Sequence, residues 1–168
     1  FGMAVRHQIR LPLAEWEKVL EKGTPILQMH IPAGGRMTPD ATKDSVQEAF
    51  RLFDQVFPDS RPAAIVCGSW IFGNQLQDMF PASANLVQFQ RELYLHPVGS
   101  TPQSGLWFIF LEDEVNPETS PRDTGLRRAV LDHIAAGKDW RVGGMIFLAE
   151  DAAAFGSQIY RKNWPPPQ

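Results

Sequence analysis

The sequence predicts an α/β fold, a mixed and strongly twisted β-sheet with helices on both faces. Two segments indicate this most directly. Ala63–Cys67 is an uninterrupted apolar run between a proline and a glycine, as expected of a strand covered on both faces. Thr38, Pro39 and Asp40 supply a capping hydroxyl, a proline at the first helical position and a first-turn acid. Strand and helix signals therefore follow one another along the chain.

The composition is that of an ordinary globular domain. With 168 residues and 43% hydrophobic side chains, the chain predicts one domain over residues 1–160 and a proline-rich tail at 161–168. A net charge of −3 argues against a nucleic-acid partner, because phosphate binding needs clustered cations. No apolar run is long enough for a membrane span and no signal-peptide pattern is present, so we expect no membrane partner and a cytoplasmic protein.

Cysteine and histidine patterns predict neither a disulfide nor a metal site. Cys67 is the only cysteine and has no partner for an intrachain disulfide. The histidines lie far apart and form none of the short pairs typical of metal ligands. They are His7, His30, His96 and His133.

The first third of the chain alternates between strand and helix patterns. Ala4–Leu11 alternates apolar and polar residues and predicts a half-buried strand. Leu13–Glu21 changes to helical spacing and ends before Gly23. Ile26–Ile31 returns to strand character, and Pro32–Met37 predicts a loop because it contains a proline and two adjacent glycines.

The middle of the chain holds the clearest elements. The helix that begins at Thr38 keeps an apolar face as far as Phe57 and ends at Pro58. The strand Ala63–Cys67 should be central in the sheet. A helical region follows over residues 74–89, and Pro81 interrupts it.

The last third predicts a hairpin, a helix and a strand. Phe89–His96 and Leu106–Leu111 are predicted to pair as a β-hairpin with a long loop. Ser120–Asp123 opens a helix, for which Gly137 is the stop. Arg141–Leu148 predicts the final strand, and residues 152–164 fit neither pattern clearly.

Three local strings resemble the GNAT-like C-terminal domain of bacterial acyltransferases. The element order over residues 26–111 also resembles the second half of the GNAT acyltransferase fold. In the family, this domain follows an N-terminal acyltransferase-like domain, so the resemblance implies an N-terminal partner domain of the same protein. The strings are Gln28–Gly35 (QMHIPAGG), Cys67–Phe72 (CGSWIF) and Leu131–Gly137 (LDHIAAG).

The resemblance implies a coenzyme A thioester as co-substrate. In the superfamily, the loop before the capped helix binds the pyrophosphate through backbone N–H groups at the helix N-terminus. Carried onto this chain, the loop comprises Ala33, Gly34, Gly35, Arg36, Met37 and Thr38. The superfamily pattern of Arg or Gln, two residues, Gly, any residue, Gly or Ala is not met in any register. Either a variant geometry binds the cofactor, or the domain keeps the fold without the ligand as a plain Gly-Gly turn.

Three side chains are candidates for the chemistry of acyl transfer. His30, near the end of a strand, has the pKa range of a general base, although it also fits a hydrogen-bonded residue at the sheet edge. Ser69 follows the central strand and fits either a carbonyl-orienting donor or a helix cap. Tyr94 fits an acid for the departing thiolate or a solvent-facing residue.

These features predict a GNAT-like acyltransferase that transfers an acyl group from a coenzyme A thioester to a small-molecule amine or hydroxyl acceptor. The acceptor would attack the thioester directly. The alternative is a non-catalytic GNAT-like module that packs against an N-terminal acyltransferase domain and contributes specificity or homodimer formation. The missing phosphate-loop consensus motivates this second hypothesis.

Overall fold

The computed structural model describes residues 4, 7–32, 34–35 and 37–161. Its centre is a four-stranded sheet in the order β1-β2-β4-β3. β1 and β2 are parallel, whereas β4 runs antiparallel to both of its neighbours. The fold is therefore α/β with a mixed sheet, as the sequence predicts. The strands are β1 (Ile26–Gln28), β2 (Ala64–Ser69), β3 (Tyr94–Pro97) and β4 (Gly143–Leu148).

Five helices surround the sheet in the described part of the chain. They are α1 (Pro39–Val56), α2 (Leu76–Met79), α3 (Asn85–Arg91), α4 (Trp107–Phe110) and α5 (Gly125–Ala135). Two 3₁₀ segments follow β2 and β4, at Trp70–Phe72 and Ala149–Ala154. None of the described helices is long and apolar enough to cross a membrane.

Helix α1 begins where the sequence predicts. The Thr38 side chain accepts a hydrogen bond from the N–H of Ala41, and Pro39 is the first helical residue. The buried residues Val46 and Phe50 project from α1 onto the sheet, where the Phe50 ring lies 6.4 Å from that of Phe147. Since Phe147 pairs with Ile65 across β4 and β2, one face of the sheet carries this core.

A second cluster of buried side chains joins α2, α4 and α5. Trp70 packs against both clusters and links the sheet core to this helical unit. The helix stop predicted at Gly137 is present, with the left-handed φ of 70° that favours glycine. The start of α5 differs from the predicted Ser120–Asp123, because the Thr124 hydroxyl caps it by accepting from Arg127 N.

The predicted hairpin is wrong. The partner of β3 is β4, and Leu106–Leu111 contains helix α4 instead of a strand. An apolar run of six residues fits either a strand or a buried helix. Here Leu106, Ile109 and Phe110 fall on one helical face and are buried in the second cluster. Phe89 lies in α3, so the predicted strand Phe89–His96 is also too long at its start.

The predictions for the N-terminal segment are wrong over residues 7–21. Of the predicted strand Ala4–Leu11, Ala4 N donates to Leu95 O of β3 over 2.9 Å, but residues 7–11 form no ladder, and residues 5 and 6 lie outside the described residues. The predicted helix Leu13–Glu21 reduces to one turn, closed by Trp16 N donating to Pro12 O. Short helices need a packed face for stability, and Leu13 is 79% exposed.

Candidate active site

The carboxyl ends of β1 and β2 separate at one end of the sheet, which we call its top edge. The two parallel strands pair from Ile26 to Gln28, and Met29 N then donates to Val66 O over 2.9 Å. Beyond this bond β2 continues beside β4 as far as Ser69, whereas β1 leads into the glycine loop. Open α/β sheets bind ligands at such an edge, where neighbouring chains diverge.

A cleft of about 870 Å³ lies at this edge and runs along the ends of the strands. The glycine loop lines one end, and the ends of β1 and β2 line the middle. The residues that form it are Met29–Pro32, Gly34, Gly35, Met37, Cys67–Ile71, Asn85, Leu86, Val98, Gly105, Phe108 and Val142. Its size is that of a typical small-molecule site.

The loop presents open backbone to this cleft. Gly34 has a φ of 86°, and a Cβ built there would meet nothing within 4 Å. Gly34 lies in a turn that begins at Pro32, and no described residue accepts a hydrogen bond from the N–H of Gly34 itself. Met37 also has a positive φ, 44°, and redirects the chain into the Thr38 cap. Glycine backbone N–H groups next to a helix N-terminus are a chemistry suited to an anion.

Two of the predicted loop residues, Ala33 and Arg36, lie outside the described residues. The first turn of α1 carries the carboxylate of Asp40. This negative charge interacts favourably with the positive end of the helix dipole, but it repels a bound phosphate. The anion-binding capacity of the described loop therefore comes from backbone N–H groups and the helix dipole.

His30 and Ser69 both line the cleft, so the structure brings these two candidates together with the glycine loop. His30 is exposed and follows β1 directly. Ser69 ends β2, and its Oγ accepts a hydrogen bond from Ile71 N over 3.4 Å, which is the capping role. Accepting this bond leaves the hydroxyl hydrogen for donation into the cleft.

Tyr94 is not brought to His30 and Ser69. It begins β3, about 10 Å along the strand from the edge that holds the cleft. Its ring stacks on that of Tyr160 at a centroid distance of 3.7 Å. Burial, together with the nearby carboxylates of Asp151 and Glu150, raises the pKa of Tyr94. Tyr94 and Tyr160, the two tyrosines of the chain, thus lie toward the end of the sheet opposite the cleft. Neither of them lines the cleft.

Cys67 lies in the wall of the cleft and is half-buried. Burial raises the pKa of its thiol above the usual value, which disfavours the reactive thiolate at neutral pH. Among the described residues, no group of three or more histidine, cysteine or acidic side chains is placed to hold a metal ion.

The far end of the cleft was not predicted from the sequence. Gly105 packs directly on Trp70, since a Cβ at Gly105 would lie 2.8 Å from the Cβ of Trp70. Phe108 on α4 and Val142 before β4 complete this wall. Because the hairpin prediction placed Leu106–Leu111 inside the sheet, this contribution to the site could not be anticipated.

Gln90 is a second residue that the sequence did not reveal. Its side chain is fully buried, and its Nε2 donates to Ile71 O over 2.6 Å and to Gly73 O over 3.0 Å. Its Oε1 accepts from Gln77 Nε2 over 2.9 Å. Gln90 therefore holds the 3₁₀ turn that immediately follows Ser69. A glutamine in a helix carries no sequence signal for such a long-range bond.

Comparison with known proteins gives one family and several solved structures. The family model described as the GNAT-like C-terminal domain matches residues 4–147. An acyltransferase mutant solved with octanoyl-CoA is 27% identical, with a TM-score of 0.68 over 76% of this chain and 42% of that chain. An acyltransferase solved with CoA and 10C-teicoplanin gives the same values. An acyltransferase solved with decanoyl-CoA is 30% identical, with a TM-score of 0.65 over 77% of this chain and 42% of that chain.

The chain thus spans less than half the length of the solved proteins that it matches. None of the curated proteins compared with the chain matches it.

Proposed function

The chain belongs to the family of GNAT-like C-terminal domains, and from this premise we propose that it forms the coenzyme A-binding part of an acyltransferase. The reaction is transfer of an acyl group from a coenzyme A thioester to a small-molecule amine or hydroxyl acceptor. One observation carries the proposal: a single cleft joins the open glycine loop to His30 and Ser69 at the separated ends of two parallel strands. The choice of a coenzyme A thioester as the acyl donor is supported by the similar acyltransferases that were solved with such thioesters.

The glycine loop is the proposed pyrophosphate site. The N–H groups of Gly34 and Gly35 donate to phosphate oxygens, and the positive end of the α1 dipole adds to the attraction. Met37, through its positive φ, and Thr38, as the N-cap, set the backbone conformation at the start of α1. Ala33 and Arg36 complete the proposed set on the resemblance alone, since both positions lie outside the described residues.

His30 is the proposed general base. It removes a proton from the acceptor as the acceptor nitrogen or oxygen bonds to the thioester carbon. The Ser69 hydroxyl donates to the carbonyl oxygen, where negative charge develops. The C–S bond then breaks and coenzyme A leaves as a thiolate, which takes a proton from the His30 imidazolium or from solvent. The sequence-based role of Tyr94 as the acid is not supported by its position at the other end of the sheet.

We also propose that residues 1–160 act as one GNAT-like domain, followed by a tail at 161–168, beside an N-terminal domain of the same protein. The solved relatives are longer than the part that this chain matches, which is 42% of their length. Only Arg161 of the proposed tail is among the described residues.

A second candidate function is a non-catalytic module that supports an N-terminal acyltransferase domain or a homodimer. The absence of both tyrosines from the cleft favours it, since no tyrosine is there to protonate the thiolate. The shared cleft favours the enzyme, because it joins the glycine loop to His30 and Ser69, whereas a module without a ligand does not need such a cleft.

The test measures release of the coenzyme A thiol from acetyl- and decanoyl-coenzyme A in the presence of a panel of primary amines and alcohols. We expect release that depends on the acceptor, with His30→Gln lowering kcat/KM by about 100-fold or more at neutral pH. Ser69→Ala should also lower it by about 100-fold. His7→Gln, a change to another exposed histidine, is the matched control and should have no effect. Tight thioester binding without any release would contradict the enzyme and support the module.

A further inference from the structure

The strand order sets the direction of the cleft. The ends of β1, β2, β4 and β3 follow one another along the top edge of the sheet, because that is the order in which the strands pair. The glycine loop follows β1, Ser69 ends β2, Val142 precedes β4 and Val98 follows β3. Neighbouring strands are about 4.8 Å apart, so about 14 Å separates the two ends of the cleft. Ser69 lies between them.

Helix α4, which contributes Phe108 to the end of the cleft opposite the glycine loop, carries exposed apolar side chains that we call, with the residue after the helix, the aromatic ledge: Trp107, Phe108 and Leu111. Phe108 lines the cleft and is 70% exposed, while Trp107 and Leu111 are 50% and 68% exposed. The Trp107 ring meets the Phe108 ring edge-on at a centroid distance of 5.4 Å. Exposed apolar side chains beside a cleft are typical of a binding surface.

Buried side chains and hydrogen bonds on the inner side of α4 hold the ledge in place. Ile109 and Phe110 are buried in the second core cluster. The guanidinium of Arg127 donates from Nε to Ile109 O over 2.9 Å and from Nη2 to Phe110 O over 3.3 Å, and it lies 5.7 Å from the centre of the Phe110 ring. The exposed side chains are therefore fixed on an anchored turn, which lowers the entropy cost of binding against them.

From this arrangement we infer that the aromatic ledge binds the hydrocarbon chain of the acyl thioester, with Phe108 setting the preference for chain length. This inference rests on the proposed function: with the pyrophosphate at the glycine loop and the thioester beside Ser69, the acyl chain continues toward Phe108. The described residues lining that end are Val98, Gly105, Phe108 and Val142, and none is charged. A methylene chain needs only apolar surface, whereas an amine acceptor would lose its water there without gaining a partner.

Chain length gives the quantitative signature. Each methylene group buried on the ledge strengthens binding by about fourfold. The affinity of wild-type protein should therefore rise stepwise from acetyl- to hexanoyl-, octanoyl- and decanoyl-coenzyme A. Coenzyme A itself, which lacks the acyl chain, gives the part of the affinity that does not depend on the ledge.

The test is calorimetric titration of the chain with coenzyme A and this series of thioesters. Phe108→Ser should leave the affinity for coenzyme A and acetyl-coenzyme A within about twofold and lower that for decanoyl-coenzyme A by about tenfold or more. Phe108→Leu, which keeps an apolar side chain, should restore most of the chain-length dependence. Phe57→Ser is the matched control, because Phe57 is 51% exposed at the far end of α1, about 27 Å along the helix from the loop.

If the protein binds coenzyme A tightly and binds thioesters of all chain lengths with equal affinity, the inference that the ledge binds the acyl chain is wrong. The proposed function would remain intact. Equal effects of Phe108→Ser and Phe57→Ser would also overturn it, since they would indicate nonspecific binding to exposed apolar surface. Failure of wild-type protein to bind coenzyme A or any thioester would contradict the proposed function, and the ledge with it.

Discussion

Gly143 lies directly against the main-chain carbonyl of Phe72, and a Cβ built on Gly143 would overlap that oxygen. Gly143 begins β4 and pairs with Ser69 at the edge that holds the cleft. The 3₁₀ turn after Ser69 can pass over the start of β4 only because no side chain occupies this position. The close contact explains a glycine that strand propensity alone would disfavour.

Gly143→Ala should therefore destabilise the protein. The overlapping atom belongs to the main chain and cannot rotate away, so we expect a loss of about 2 kcal/mol or more in the free energy of unfolding, measured by urea denaturation. Gly68→Ala is the matched control on the neighbouring strand, where a Cβ would meet nothing within 4 Å. It should change stability by less than about 1 kcal/mol. Equal effects of the two substitutions would contradict the steric argument.

Gln90→Leu should loosen the turn behind Ser69. The substitution leaves the carbonyl groups of Ile71 and Gly73 without the side-chain donor that serves both in this buried setting. We expect a loss of about 1–3 kcal/mol in the free energy of unfolding. Gln88→Leu, on the same helix, removes only a long exposed bond to Ser83 O and should be close to neutral. A stable Gln90→Leu protein would show that this amide does not secure the turn.

Tyr160 should make the protein sensitive to alkaline pH. Burial and a hydrogen bond from its hydroxyl to Asp151 raise the pKa of Tyr160 above its ordinary value. The unfolded state releases this proton near pH 10, whereas the folded state retains it. The stabilisation is therefore complete below about pH 10 and is lost as the pH rises toward the folded pKa, by up to about 1.4 kcal/mol per pH unit.

Tyr160→Phe tests this assignment through urea denaturation at pH 8 and at pH 11. At pH 8 the variant should lose about 1 kcal/mol, because Leu148 N loses the phenol oxygen as its acceptor. At pH 11 the difference from wild type should be smaller, since the variant has no phenolic proton to lose at this position on unfolding. Parallel pH profiles for the two proteins would exclude Tyr160 as the source of the alkaline sensitivity.

Local signals predicted the elements whose boundaries are set by neighbouring residues. Thr38 and Pro39 define the start of α1 through a cap within four residues. The uninterrupted apolar run of β2 marks a central strand, because both of its edges pair with other strands. The same local signals put His30 near the end of the predicted strand Ile26–Ile31, the glycine loop after it and Ser69 two residues after the strand Ala63–Cys67.

Long-range contacts determine the structure of the segments that the sequence did not predict correctly. The run at Leu106–Leu111 is compatible with a strand or a helix, and only its burial against α5 selects the helix. The amphipathic pattern of Leu13–Glu21 lacks a packed partner, so it does not form a helix. Tyr94 lies on β3, for which the sequence predicted neither the start nor the partner strand, and its distance from the cleft depends on the register with β4. None of these contacts leaves a local signal in the sequence.

The most direct test of the account is a thermal-shift titration of the chain with coenzyme A, comparing wild type, Gly35→Asp and Gly125→Asp. A Cβ at Gly35 would make only an ordinary contact, 3.7 Å from Pro32 O, so the aspartate adds negative charge to the loop without backbone strain. Gly125 is equally open but begins α5, away from the cleft. A ligand at 100 times its Kd stabilises the native state by about 2.7 kcal/mol, which corresponds to a rise in Tm of about 5–10 °C.

The account predicts this rise for wild type and Gly125→Asp and its loss in Gly35→Asp. An equal rise in all three proteins, or no rise in folded wild-type protein at millimolar coenzyme A, would contradict a cofactor site at the glycine loop.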